Sequence, residues 1–159
     1  MLRQLVGSLP IPTDERVLIG FQNAEDAAVY KLDDERAIVA SLDVITPIVD
    51  DPETYGRIAA ANALSDVFAM GGEGLFSLSF LGVSSGVPDE AAIAIARGGA
   101  LAANENGAPV LGGHSIESKD VIFGLLAIGM VHPDKLFANH QLEVGDQLIL
   151  TQPLGTGTL

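Results

Sequence analysis

The chain has 159 residues, of which 48% are hydrophobic, 21 are Asp or Glu and 8 are Lys or Arg, so its formal net charge is −13. This much apolar surface excludes an intrinsically disordered acidic chain, because burying it can offset the conformational entropy lost on folding. The basic residues are scattered, which argues against nucleic acid or an anionic membrane as a partner. The lack of cysteine excludes disulfides, cysteine-ligated zinc and a thiol nucleophile in this chain, and it fits a cytoplasmic protein.

The order of the predicted elements is that of a mixed α/β protein. Residues 1–22 have little periodicity and are predicted to form an irregular lead-in. Helices are predicted from Pro52, after the capping pair Asp50-Asp51, to Gly71-Gly72, and from Pro88 to about residue 106. Runs of apolar residues bounded by Gly, Pro or charged residues predict strands at 27–32, 36–44, 75–83, 109–111, 121–131 and 147–151.

The first long helix carries a possible metal ligand. Between residues 58 and 70 its only polar residues are Asn62, Ser65 and Asp66, so the helix is expected to be buried on most sides. Asn62 and Asp66 are four residues apart and share a face. A buried Asp66 carboxylate needs a cation or strong hydrogen-bond donors, because an unpaired buried charge is costly. The sequence leaves open a metal site and an aspartate bonded to the backbone amides of a loop.

Two more aspartates lie at the ends of the first two predicted strands. Asp26 precedes strand 27–32 and Asp43 closes strand 36–44, so in a hairpin their ends meet. Carboxylates this close repel one another unless a cation lies between them, and Mg²⁺ prefers such oxygen ligands. Acidic strand ends are also common in a chain this acidic, so the pattern alone does not decide between a metal site and two unrelated acidic residues.

A glycine pair follows the short strand predicted at 109–111. Gly112 and Gly113 would let the backbone approach a ligand closely, and the hydroxyl of Ser115 beside them suits a phosphate. An ordinary glycine-rich turn fits the same residues equally well. No Walker-type phosphate-binding loop occurs in the chain.

Several segments of the chain resemble the selenophosphate synthetases (selenide, water dikinases) of the PurM-like superfamily. The resemblance covers residues 23–157, and its most specific parts are the Thr-Pro-Ile-Val-Asp-Asp-Pro run, the Asn-Ala-Leu-Ser-Asp-Val-Phe-Ala-Met-Gly-Gly helix and the Gly-Gly-His-Ser motif. The segments that carry it are residues 25–30, 42–52, 55–72, 111–116 and 150–157.

The resemblance implies the ATP-binding half of an enzyme that makes selenophosphate, AMP and phosphate from ATP, selenide and water. It implies a mixed four-stranded sheet covered by helices in residues 23–145, with residues 146–159 beginning a further domain. It also implies a homodimer in which the two sheets join into a barrel, with ATP bound at the junction.

The resemblance also assigns roles to individual residues. It implies that Mg²⁺ is held by Asp26, Asp66 and Asp43, the last two also contacting ATP. The segment along the nucleotide is implied to be Asn23, Ala24 and Glu25. A loop from the partner subunit is implied to contact ATP through Gly113, His114 and Ser115.

The chain departs from the family pattern in ways that affect its activity. In the family, a glycine-rich N-terminal loop carries a catalytic cysteine or selenocysteine and a lysine. This chain has no cysteine or selenocysteine, and residues 1–20 contain no lysine. The catalytic loop therefore has no counterpart here, and turnover by this chain alone is not expected. Glu25 stands at a position where the family usually has aspartate, and Gly74 stands where the family commonly has a proline after the Gly-Gly pair. Two alternatives stay open: a non-catalytic binding and assembly module, and another kinase of the superfamily such as thiamine-monophosphate kinase.

Overall fold

The computed structural model describes residues 2–23, 25–151, 153 and 155. In chain order the elements are α1 (Leu2–Gly7), β1 (Val17–Ile19), β2 (Ala28–Lys31), β3 (Ala37–Ile45), α2 (Pro52–Ala69), β4 (Glu73–Val83), α3 (Asp89–Glu105), β5 (Val110–Glu117) and β6 (Ile122–Val131). Short 3₁₀ helices lie at Phe21–Asn23, Pro133–Lys135 and Asn139–Gln141.

The strands form one mixed sheet in the order β1-β2-β3-β6-β4-β5. β4 and β5 pair in parallel and are connected through α3, whereas the other neighbours are antiparallel. The predicted mixed α/β architecture is confirmed, but the count of four strands is wrong, because the described residues form a sheet of six strands. The lead-in expected to be irregular contains helix α1 and strand β1. Strand β1 pairs Val17 with Tyr30 and is too short to produce a recognisable alternation.

Helix α2 begins and ends as its sequence predicts. The Asp51 carboxylate caps it by accepting a hydrogen bond from the backbone N–H of Thr54 at 2.8 Å, and Pro52 follows in the first turn. After the helix, Gly71 adopts a φ of 76°, and the N–H of Gly72 bonds back to the Val67 carbonyl at 3.0 Å. The expectation of burial on most sides is wrong: Ala61, Asn62, Ser65 and Phe68 are exposed, since the sheet and α3 cover only part of α2.

Helices α2 and α3 approach each other closely at glycines. A Cβ atom at Gly98 would overlap the backbone carbonyl of Glu53, and one at Gly56 would overlap that of Ile95. Gly99 is also against the ring of Phe123 on β6. Glycine is therefore what lets the two helices lie together over the aliphatic core of the sheet.

The two faces of the sheet have different environments. Ser41 and Asp43 of β3 face helix α2, to which both are hydrogen-bonded. Leu42 lies between them and points to the opposite face, since side chains alternate along a strand. It aligns with Leu126 of β6 and Leu78 of β4, and its exposed fraction is 65%. We call this uncovered apolar side the open face; it also includes Val44.

Two segments differ from the expected elements. The strand predicted at 109–111 continues as β5 through Glu117, so Gly112-Gly113-His114-Ser115 is part of a strand and not a turn. Residues 147–151, predicted as a strand, have no regular secondary structure and are exposed. Over the described ranges, none of the helices combines the length and the apolar character that crossing a bilayer requires.

Candidate functional site

Two of the predicted acidic residues meet at the end of β3 under helix α2. Asn62 Nδ2 of α2 donates a hydrogen bond to Asp43 Oδ2 of β3 at 3.2 Å. In return, Ser41 Oγ of β3 donates to Asp66 Oδ2 of α2 at 2.7 Å. The hydroxyl of Tyr55 fixes the same end of the strand by donating to the Ile45 carbonyl at 2.6 Å. These crossed contacts hold the Asp43 and Asp66 carboxyl groups side by side.

The surroundings of Asp66 favour its protonated form. Burial raises the pKa of the Asp66 carboxyl group, and the neighbouring Asp43 raises it further by hydrogen bonding and by charge. The hydrogen bond from Ser41 acts in the opposite direction, because it stabilises the carboxylate. The pair is thus a concentration of negative charge whose described hydrogen bonds come from neutral side chains.

Ser41 is a site residue that the sequence reasoning missed. A signal for it exists: Ser41 is two residues before Asp43 on a strand, so both side chains point to the same face. The predicted common face of Asn62 and Asp66 on α2 is confirmed by their bonds to this one strand.

Asp26 lies apart from this pair. It is exposed at the edge of a cavity of about 470 Å³, whose walls are largely apolar and include Ile19, Phe21 and Tyr30. Ser41 is among the lining residues, but its side chain faces α2; Ile38, Ala40 and Leu42, which alternate with it along β3, line the cavity from the open face. Within the described ranges, no three His, Cys, Asp or Glu side chains are grouped closely enough to hold a metal ion, so Asp26 does not complete a three-carboxylate cluster.

The segment predicted to lie along a nucleotide is only partly described. Asn23 ends the 3₁₀ helix Phe21–Asn23, and Ala24 lies outside the described residues. The Glu25 carboxylate accepts a hydrogen bond from the backbone N–H of Asn139 at 2.7 Å, and the Nδ1 of His140 is 2.9 Å from it. These bonds lower the pKa of Glu25, the contact with His140 most strongly.

The Gly113-His114-Ser115 segment lies far from the aspartate pair within one chain. Gly113 aligns with Ser79 of β4, which aligns with Leu125 of β6 and, through it, with Asp43. Three interstrand spacings separate Gly113 from Asp43, roughly 14 Å. His114 and Ser115 are exposed on the same edge strand. A ligand bound at Asp43 and Asp66 could contact the Gly113-His114-Ser115 segment of the same chain only by spanning the sheet. Otherwise it would contact that segment in a second copy of the chain.

The donor set at Asp43 and Asp66 fits a hard divalent cation. Mg²⁺ is bound in proteins through one or two carboxylates together with water and substrate phosphates. The pair supplies two carboxylates, and the repulsion that raises the pKa of Asp66 is what such a cation would relieve.

Comparison with known proteins identifies the family. Residues 24–131 match the family described as "AIR synthase related protein, N-terminal domain". The chain belongs to this family.

The most similar relatives found include proteins named selenide, water dikinase. That of Carboxydothermus hydrogenoformans is 48% identical over 158 residues, which are 99% of this chain and 46% of the relative. That of Burkholderia ambifaria is 52% identical over 144 residues, 90% of this chain and 41% of the relative. The resemblance predicted from the motifs is therefore confirmed, and the chain spans less than half the length of these relatives.

Solved structures share the fold at lower sequence identity. A Thermus thermophilus protein, tt0281, has a TM-score of 0.70 at 21% identity and covers 85% of this chain, which covers 43% of it. The Thermotoga maritima PurL complexed with ADP has a TM-score of 0.61 at 26% identity, covering 76% of this chain and 20% of its own. AaThiL complexed with AMPPCP and TMP has a TM-score of 0.63 at 21% identity, covering 68% of this chain and 36% of its own.

Proposed function

We propose that this chain is the ATP-binding and dimerisation part of a selenide, water dikinase. The parent enzyme would make selenophosphate, AMP and phosphate from ATP, selenide and water in the cytoplasm. The observation that carries the proposal is the Asp43–Asp66 pair, crossed by hydrogen bonds from Ser41 and Asn62. The identity of about half to proteins of that name supports the reaction class.

In this proposal the aspartates bind the nucleotide through metal ions. Asp43 and Asp66 would hold Mg²⁺, which when bound neutralises phosphate charge, and Asp26 would be drawn in from the cavity edge as a further ligand. Ser41 and Asn62 orient the two carboxylates. Lysine and arginine make up only 8 of the 159 residues, so charge neutralisation by cations suits this chain.

The remaining ATP contacts are assigned to two segments. Residues 23–25 would lie along the nucleotide beside the apolar cavity of about 470 Å³. Gly113, His114 and Ser115 would reach the ATP of a second subunit, a role supported by their distance from Asp43 in the same chain. We assign no catalytic residue to this chain, and by itself it is proposed to bind ATP without turnover.

Residues 146–159 are proposed to begin a further domain, after the domain of residues 23–145. Leu148 is 84% exposed and Ile149 is 83% exposed, and such apolar side chains normally pack against something. More than half the length of the relatives lies beyond the region matched here, and it would supply the partner surface.

The experiment is a calorimetric titration of the chain with ATP, in Mg²⁺ and in EDTA. Wild type should bind ATP with Mg²⁺ and lose binding in EDTA, while Asp66→Asn and Asp43→Asn should each weaken Mg-ATP binding by at least about tenfold. Asp34→Asn is the matched control, because Asp34 is an exposed carboxylate in the turn between β2 and β3. Unchanged affinity in Asp66→Asn would contradict the metal role. In a full-length protein with this sequence, ATP should yield AMP only when selenide is present.

The open face favours a second candidate, a non-catalytic assembly module. Such a module would dimerise through exposed leucines such as Leu42 but would not respond to Mg-ATP in the same titration. The thiamine-monophosphate kinase alternative is supported by fold similarity at 19% and 20% identity to structures of that name, well below the 48% identity to a dikinase.

A further inference from the structure

After β6 the chain returns along the sheet as a strap, which we define as residues 132–141. β6 ends at Val131 opposite the start of β3, because Val131 aligns with Ala37. The strap then passes the end of α2, where the N–H of Phe137 bonds to the Met70 carbonyl at 3.2 Å. Leu136 and Ala138 pack against the core from the strap. Its far end therefore lies beside the segment that precedes β2.

Glu25 ties that far end down. Its side chain is 1% exposed, and both of its oxygens are engaged: one with the backbone N–H of Asn139 at 2.7 Å, the other with His140 Nδ1 at 2.9 Å. Because a carboxylate can only accept, the Nδ1 of His140 carries the hydrogen. Glu25 thus contacts two residues that follow it in sequence by 114 and 115 positions.

The side chain of the next residue, Asp26, is exposed and has no hydrogen-bond partner among the residues that the structure describes. Residue 25 has no regular secondary structure and residue 26 is in a bend, one position before the buried Ala27. Hydrogen bonds to a charged acceptor are stronger than neutral ones, so the bonds of Glu25 restrain the chain on one side of Asp26, as the burial of Ala27 does on the other.

We propose that Glu25 is a positioning residue: by binding Asn139 and His140 it fixes the location of Asp26 at the edge of the cavity. Its carboxylate binds the strap, so the contact of this residue with the nucleotide proposed above is left to its backbone. The inference rests on the proposed function for what Asp26 binds. A displacement of a metal-binding side chain by about 1 Å is enough to weaken a metal–phosphate site, so the hydrogen bonds of Glu25 would affect nucleotide binding.

The variants separate this role from a purely structural one. Glu25→Ala removes both bonds, Glu25→Gln keeps a carbonyl acceptor for the Asn139 N–H, and His140→Ala removes only the side-chain contact. His132→Ala is the matched control, because that strap histidine instead accepts from the backbone N–H of Asp134. If Glu25→Ala does not fold, Glu25→Gln and His140→Ala carry the test.

The first measurement needs no ligand. Amide hydrogen exchange and chemical shifts are followed by NMR at Asn139 and at residues 26–28 of the whole chain. Glu25→Ala should speed exchange at both places, Glu25→Gln should keep Asn139 protected, and His132→Ala should change neither. Wild-type behaviour at residues 26–28 in Glu25→Ala would overturn the proposal.

The second measurement is the affinity for ATP with Mg²⁺. Glu25→Ala should bind about tenfold more weakly than wild type, Glu25→Gln should recover part of the loss, and His132→Ala should stay within about twofold. Wild-type affinity in Glu25→Ala would overturn the positioning role whatever the exchange data show. If wild type itself does not bind Mg-ATP, the proposed function fails for this chain, and exchange at residues 26–28 alone decides the positioning role.

Discussion

The ionised carboxylate of Asp66 is a cost to folding that the hydrogen bond from Ser41 offsets in part and that a bound cation would relieve further. Burial and the charge of Asp43 raise its pKa in the folded state above the ordinary value of 3.8. As pH rises from about that value, the unfolded chain releases the proton first, so the folded state loses stability until Asp66 ionises there too. Placing two carboxylates side by side thus lowers the stability of the folded state, a cost that is common at binding sites.

Asp66→Asn should raise the free energy of unfolding at neutral pH without Mg²⁺. The amide is isosteric, can still accept from Ser41 and removes the repulsion from Asp43; we expect up to about 1 kcal/mol, reduced by solvent screening. The gain over wild type should shrink as the pH falls towards 3.8 and vanish well below it, where Asp66 is protonated in both states. Denaturant unfolding from pH 3 to 8 measures this, with Asp34→Asn as control. A gain independent of pH would exclude the electrostatic cause.

At the scale of elements, the two glycines of the Gly-Gly-His-Ser segment differ in how much space β5 leaves for a side chain. A Cβ at Gly113 would overlap the Ser79 carbonyl of β4, whereas one at Gly112 would meet only the Leu78 side chain at 3.7 Å. Gly113 is therefore required by strand packing, independently of any ligand.

Gly113→Ala should lower the free energy of unfolding by about 2 kcal/mol, because the overlap pushes β5 away from β4. Gly112→Ala is the matched control and should change it by less than about 0.5 kcal/mol. Chemical denaturation of both variants measures the difference. Equal effects would mean that β5 tolerates a side chain at either position.

The helix pair depends on glycine in the same way. Alanine is normally preferred over glycine in a helix by about 1 kcal/mol. Gly98→Ala should nevertheless destabilise the protein by about 3 kcal/mol, since its Cβ would overlap the Glu53 carbonyl of α2. Gly86→Ala, whose Cβ would have only the Ser84 hydroxyl within 4 Å at 3.9 Å, is the control in thermal unfolding. A stabilised Gly98→Ala would contradict the close helix approach.

At the scale of the whole molecule, the sheet has helices on one face and apolar residues exposed on the other. Leu42, Val44, Leu78 and Ile116 are all exposed there. Apolar side chains contiguous across several strands indicate a surface that another molecule covers. A second copy is the proposed occupant, and it would also bring a Gly113-His114-Ser115 segment to the nucleotide.

Leu42→Arg should convert the proposed dimer into a monomer, because it places a charge in the apolar interface. Ile93→Arg is the matched control: Ile93 is also 65% exposed but lies on the helix-covered side, in α3. Light scattering after gel filtration measures the mass of each. A monomeric wild type, or a dimeric Leu42→Arg, would contradict dimerisation through the open face.

The elements themselves could largely be predicted because their signals are local. Asp51 with Pro52 begins α2 and Gly71 ends it, and these preferences act within a few residues. The longer strands were likewise readable from apolar runs. β1 and the extension of β5 could not be read, because a three-residue strand and a glycine pair carry no alternation and gain their stability from a neighbouring strand.

The sequence by itself determined the family and the order of its principal helices and strands, together with the common face of Asn62 and Asp66, because motif spacing and helical periodicity are properties of the chain. Only the tertiary structure decided that Asp66 lies beside Asp43, with Ser41 bonded to the first and Asn62 to the second, while Asp26 stays at the cavity edge. It also decided that Glu25 binds residues more than a hundred positions away. Contacts of this kind depend on how strands and helices pack, which no local pattern of residues records.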